Sequence, residues 1–250
     1  MSETKRDPFA SPTLGQRLLS LFVWAMALLW ALPLMLFMWP LSYMVHPSHY
    51  EFLTRFFSRG LIRILCVSWS ATVHPDVKRE GTYLFVQNHV NHFDFVISQP
   101  ALPMFTQGME LASHFRYPIY GWYMKARGTI PVHPGRSDQM DFLRNAMRAE
   151  RDAGFSLLVF PEAGRTMDGH VARIRVGVLR LARDLGLEIV PVAVAGSYQL
   201  MHKGSLLIQP RQVKISLGAP VATAGLSDTE IKQVAISLRQ WLEENSVQPT

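Results

Sequence analysis

Tyr83-Leu84-Phe85-Val86, then Gln87, then Asn88-His89-Val90-Asn91-His92-Phe93-Asp94: an apolar run of four breaks directly into a polar cluster. The run follows Glu80-Gly81 and reads as a buried strand, because a strand covered on both faces needs no polar alternation. The same passage recurs downstream, where Leu157-Leu158-Val159-Phe160 follows Gly154 and leads into Pro161-Glu162-Ala163-Gly164-Arg165-Thr166. Residues 189–194 and 213–217 are further strand candidates, and helical patterns lie between the runs. The segment 138–153 begins after Ser137 and stops at Gly154, and 176–185 stops at Gly186. Ser227-Asp228-Thr229-Glu230 is a capping box, followed by Ile231, Val234, Leu238, Trp241 and Leu242 on one helical face. Strands alternating with helices predict an α/β domain with a mixed central sheet flanked by helices. Both polar clusters follow a strand directly, where such sheets place their chemistry.

Upstream of this domain the texture changes. Residues 18–45 contain no Asp, Glu, Lys, Arg or His and include Trp24, Trp30 and Trp39. About 20 such residues span a bilayer. Pro33 and Pro40 interrupt the run, so it reads either as one kinked spanning helix or as a helical hairpin dipping into one leaflet. It is too long for the core of a signal peptide and does not end at a small-residue cleavage site. Lys5, Arg6 and Arg17 precede it, and Arg55, Arg59 and Arg63 follow. Phe52, Phe56, Arg59 and Arg63 fall at helix-like spacing, as a helix lying on anionic headgroups or packed on its own domain would have them. The expected organisation is a tail and membrane-associated helical segment over 1–66, then an α/β domain over 67–250.

Composition narrows the partners. Of 250 residues 48% are hydrophobic and 18% charged, so the chain is not disordered; 25 basic against 19 acidic residues give +6. An excess of that sign suits a membrane surface or a phosphorylated substrate. The arginines are dispersed with no aromatic-interleaved basic motif, which argues against nucleic acid. A single cysteine, Cys66, excludes an internal disulfide and a multi-thiolate zinc site.

His89 and Asp94 form an H-x4-D pair. A histidine can take a proton from a hydroxyl while a carboxylate on its other ring nitrogen fixes the tautomer. Five residues apart, the two do not share a helix face, so the pairing requires a turn or a helix start between them. In the second cluster Arg165 can hold a phosphate bidentately, and Glu162 can orient a hydroxyl or hold its loop. His89, His92 and Asp94, beside His74, His114 and His133, also admit a metal-dependent hydrolase. A non-catalytic membrane-bound lipid-binding protein is the other alternative.

Together the clusters resemble those of the glycerolipid acyltransferase family, which contains the 1-acylglycerol-3-phosphate acyltransferases. Its NHxxxxD motif is matched at Asn88, His89 and Asp94, and its FPEGTRS motif at Phe160, Pro161, Glu162 and Arg165, with Thr166 for the final serine. Its second motif resembles Gly128-Thr129-Ile130-Pro131-Val132-His133, its fourth fits Ile189-Val190-Pro191-Val192-Ala193, and Pro118-Ile119-Tyr120-Gly121-Trp122 resembles its P-x-x-G-W stretch. There are departures. Asn91 stands for a serine and Ala163-Gly164 for glycine-threonine; Arg136 is the nearest arginine to the second motif, and Gly108 or Met109 stands where a basic residue precedes Glu110-Leu111.

The resemblance implies an acyltransferase acting on a lysophospholipid or related lipid hydroxyl. His89 would be general base and Asp94 its orienting partner, with Asn88, Glu162, Arg165, Thr166 and Arg136 in the substrate site. The donor would be acyl-CoA or an acyl-carrier protein, with no bound cofactor and no metal. Backbone N–H groups of the first or third motif would hold the oxyanion. The implied location is a membrane, with the site on its cytoplasmic face.

Overall fold

The structure is a computed structural model describing residues 12–162 and 164–246; Lys5, Arg6 and Ala163 lie outside the described residues. The apolar segment forms one continuous helix, α1 (Leu14–Met44), that runs through Pro33 and Pro40. A capping box starts it: the Thr13 hydroxyl accepts the Gln16 N–H at 3.2 Å, and the Gln16 side chain accepts the Thr13 N–H at 2.9 Å. The chain reverses not at either proline but through a short 3-10 turn, Pro47–Tyr50. α2 (Glu51–Ile64) then returns antiparallel to α1. Ser42 bonds Tyr50 near the turn, Trp30 Nε1 donates to Phe57 O at 3.0 Å, and Val23 shares a core with Ile62 and Leu65. Gly60 permits this approach, since the Trp30 indole occupies the space a Cβ would need.

A seven-stranded sheet follows. Its strands are β1 (Ser68–Val73), β2 (Tyr83–Gln87), β3 (Thr106–Leu111), β4 (Ile130–Val132), β5 (Ser156–Val159), β6 (Glu188–Ala195) and β7 (Gln212–Leu217). The spatial order is β1-β7-β6-β2-β5-β3-β4, parallel except between β6 and β7, which makes the sheet mixed as expected. The helices are α3 (Asp94–Ser98), α4 (Tyr120–Ala126), α5 (Gln139–Asp152), α6 (Val176–Asp184), the single turn α7 (Ser197–Leu200) and α8 (Asp228–Ser246). Side chains of the central strands alternate between two cores. Leu84, Val86, Leu157 and Val159 join residues of α5, α6 and α8; Tyr83, Phe85 and Leu158 join residues of α1, α2 and α3 on the other face. Burial on both faces is why these strands read as unbroken apolar runs.

α1, about 46 Å long at 1.5 Å per residue, lies along the domain rather than projecting from it. Near its start Trp24 Nε1 donates to Leu206 O at 2.9 Å and its ring meets Phe93 at 5.6 Å. Further along Trp39 packs on Trp122, and just past its end His46 stacks on Phe155. The opposite side, including Leu14, Leu18, Leu21, Phe22, Leu29 and Phe37, is exposed. By length and composition alone the helix is able to cross a membrane.

Candidate active site

β2 and β5 are adjacent and parallel, so the polar clusters that follow them emerge side by side at one edge of the sheet. In the first, the chain turns after β2 and α3 starts at Asp94, supplying the helix start that the His89–Asp94 spacing requires. His89 Nδ1 lies 3.0 Å from Asp94 Oδ2. That oxygen also accepts the N–H groups of Val90 at 2.7 Å and Asn91 at 2.8 Å, and Oδ1 accepts the Ser197 hydroxyl at 2.9 Å. Asp94 is completely buried and has four donors, so the carboxylate is fixed in place. The His89 ring stacks on Phe160 at 4.1 Å, which orients it from the β5 side.

The second cluster holds the first. Glu162 Oε1 accepts the His89 N–H at 2.7 Å and Oε2 accepts the Ala172 N–H at 2.6 Å; the Thr166 N–H returns to His89 O at 3.1 Å. Burial raises Glu162 from 4.5 to about 7, against the two N–H groups that favour its charged form.

Beside these clusters lies a cavity of about 530 Å³ between α1, α2 and the sheet. His89, His92 and Arg165 line its polar part; Trp24, Ala27, Leu28, Ala31 and Met35 of α1 form an apolar wall. Burial, then the charge of Arg165, pushes His92 below its ordinary pKa. Arg165 Nη1 is buried without a hydrogen-bond partner, as a group awaiting a ligand would be; Thr166 Oγ1 is likewise unpartnered but Thr166 does not line the cavity. Glu110, on the same wall, is held by His114 at 2.7 Å and Tyr120 at 3.0 Å.

The structure brings together His89, Asp94, Glu162, Arg165 and Thr166. Asn88 stands behind them: its Nδ2 donates to Val194 O at 3.1 Å and its Oδ1 accepts the Val194 N–H at 2.8 Å, tying β2 to β6. Arg136 is not brought to the cavity and pairs with Asp138 at the surface. The N–H groups of His89, Val90 and Asn91 are all engaged internally, which removes these three as oxyanion donors. Among the described residues no group of three or more His, Cys, Asp or Glu is arranged to hold a metal ion. Sequence reasoning missed Ser197, whose placement just past β6 at the same sheet edge was the available signal. It also missed Arg127, a buried cavity-lining guanidinium bonded to Gln107 at 2.9 Å.

Chemically, this is an imidazole with Nδ1 held by a buried carboxylate and its ring facing a largely apolar cavity, the geometry a general base requires.

A 1-acyl-sn-glycerol-3-phosphate acyltransferase of Cocos nucifera is 22% identical over 210 residues, 84% of this chain and 65% of that protein. One from Limnanthes douglasii is 24% identical over 56% of this chain and 50% of its own length; one from Chlamydomonas reinhardtii is 30% identical over 53% and 40%. The chain thus matches about two thirds or less of each relative's length. The crystal structure of the 1-acyl-sn-glycerophosphate acyltransferase PlsC from Thermotoga maritima superposes with a TM-score of 0.78 over 92% of this chain and 95% of that chain; at 18% identity this shows a shared fold. The acyltransferase family model matches residues 70–195, from the second residue past the start of β1 to the end of β6 and including both polar clusters, and the chain belongs to that family.

Proposed function

We propose that this protein is a membrane-associated enzyme that moves a fatty acyl group from an acyl thioester, acyl-CoA or acyl-carrier protein, to a hydroxyl of a lysophospholipid or related lipid. The observation that carries the reading is the 3.0 Å His89–Asp94 pair at a cavity walled by an apolar helix. His89 Nε2 takes the hydroxyl proton as the acceptor oxygen bonds the thioester carbonyl carbon. The tetrahedral adduct then breaks its C–S bond, and the proton on Nε2 passes to the departing sulfur. Asp94 holds the tautomer and stabilises the imidazolium. Arg165 contacts phosphate or the developing oxyanion, Thr166, Glu162 and Asn88 position the loops, and Arg136 takes no part.

The placement of α1 supports attachment to one leaflet over a span. A helix bound to its domain from Ser20 to Met38, with His46 beyond it, cannot cross a bilayer without drawing the domain in. Its exposed apolar side and the exposed Phe52, Phe56, Arg59 and Arg63 of α2 suit the headgroup boundary. Soluble, charged donors then arrive from the cytoplasmic side.

The test is transfer from labelled acyl-CoA and acyl-carrier protein to lysolipids by the detergent-purified protein. His89→Ala should lower the rate by roughly 10²–10⁴. Transfer that persists unchanged in a folded His89→Ala protein, or no transfer by the wild type, would overturn the proposal.

A further inference from the structure

Few charges line the cavity. Among its described lining residues the charged side chains are two guanidinium groups, Arg127 and Arg165, and one carboxylate, Glu110. Arg127 is already engaged. Its Nη1 donates to Gln107, its Cζ lies 5.2 Å from the Phe105 ring and 6.0 Å from that of Phe95, and the carboxyls of Glu51 and Glu150 share its field. Arg165 forms no ion pair among the described residues and keeps a buried, unpartnered Nη1. His92, held below its ordinary pKa by burial, adds no cation at neutral pH. The ligand therefore meets one available positive charge, with a carboxylate on the same wall.

Gly108 lies on that wall two residues before Glu110. A Cβ there would meet only Phe95 Cε2, at 3.6 Å, an ordinary contact. The position therefore has room for a Cβ, opens on the cavity and carries no side chain. The gap withholds a further cation from the cavity wall.

We infer, on the reading that the cavity accepts a lysolipid, that the acceptor is a lysophospholipid whose phosphate is a diester with a single negative charge, and that Gly108 helps to set this preference over a phosphomonoester. A phosphomonoester carries about −1.5 to −2 at pH 7. Its second charge would enter without a partner a cavity that already holds the Glu110 carboxylate, and an unpaired buried charge is strongly disfavoured. A diester satisfies Arg165 and brings no surplus.

The experiment offers the full-length protein lysophosphatidate, lysophosphatidylglycerol and lysophosphatidylethanolamine at matched chain length and surface concentration. The expected kcat/KM at pH 7.5 is at least tenfold higher for a diester than for lysophosphatidate. Between pH 7.5 and 6 the ratio should move several-fold toward lysophosphatidate, because the monoester gains a proton and the diester does not. The ratio cancels only titration that affects both acceptors equally; protonation of the lining His89, His92, His114 or Glu110 would move it in the same direction. Gly108→Lys, checked by its melting transition, should raise relative use of lysophosphatidate at least tenfold. Lysophosphatidate used equally or better by the wild type would overturn the acceptor assignment and leave acyl transfer standing. An unchanged ratio in a folded Gly108→Lys protein would remove Gly108 from it. Transfer to none of the three, from either donor, would remove the acyl-transfer reading and this assignment together.

Discussion

Glu162 and His89 are joined by a 2.7 Å hydrogen bond from the His89 backbone N–H to the Glu162 carboxylate, so one polar cluster fixes the backbone of the other. Burial of the carboxyl, which outweighs this bond, gives Glu162 a measurable influence on stability. Burial raises its pKa from 4.5 to about 7, so the folded chain holds this proton more tightly than the unfolded chain. The contribution is full below about pH 4.5 and is lost as pH rises through 7, up to about 3 kcal/mol. Denaturation midpoints at pH 5, 6 and 7.5 should show that decline. Glu162→Gln should flatten it and cost about 1–3 kcal/mol, because an amide NH2 would oppose one of two backbone donors.

Asp94 separates charge from geometry. In Asp94→Asn the amide oxygen can still accept from His89, Val90 and Asn91 while the NH2 turns to Ser197 Oγ. Stability should fall modestly, by about 1 kcal/mol, while the transfer rate falls roughly 10²-fold or more with loss of the charge behind the imidazole. Asp94→Ala should instead lose about 3 kcal/mol or more, since it strands several buried donors. A denaturant series run beside kinetics distinguishes the two.

Two arginines that the resemblance implied for the substrate site should behave differently. Arg165→Gln should raise KM for a phosphate-bearing acceptor about tenfold or more, as its guanidinium is unpartnered at the cavity. Arg136→Gln should leave kinetics within error, because that side chain pairs with Asp138 outside the cavity. Equal effects would contradict this assignment.

The junction of α1 and α2 has its own test. Gly60→Ala places a methyl inside the Trp30 indole, which should cost about 1–3 kcal/mol and raise KM for acyl substrates as the cavity wall moves. Adding Trp30→Ala should recover part of the loss, a non-additivity that a double-mutant cycle reads directly.

The sequence was most legible where the chain is buried on both sides. β2, β5 and β6 announced themselves as apolar runs, β7 as an alternating one with one buried side, and α5, α6 and α8 by their periodicity and caps. β1, β3 and β4 did not. β1 is a largely exposed edge reading Ser-Trp-Ser-Ala-Thr-Val, β4 has three residues, and β3 carries Thr106, Gln107 and Glu110 because its side chains serve a cavity and a polar network. The His89, Asp94, Glu162 and Arg165 set was readable because each member sits just past a strong strand. Ser197 and Arg127 were not, because what they touch is decided by the order of strands in the sheet. The two prolines pointed to a break in α1 that packing against α2 and the domain overrides.

α1 has one further consequence. Since Trp24 touches Phe93, the residue beside Asp94, and Ala27, Ala31 and Met35 close the cavity, the lipid anchor is also a piece of the reaction vessel. Trimming the chain at Cys66 to obtain a soluble catalytic core would unroof that vessel and bare its greasy lining to water. On the proposed function, solubility and competence are therefore opposed, and the intact catalyst is to be handled in amphiphile throughout.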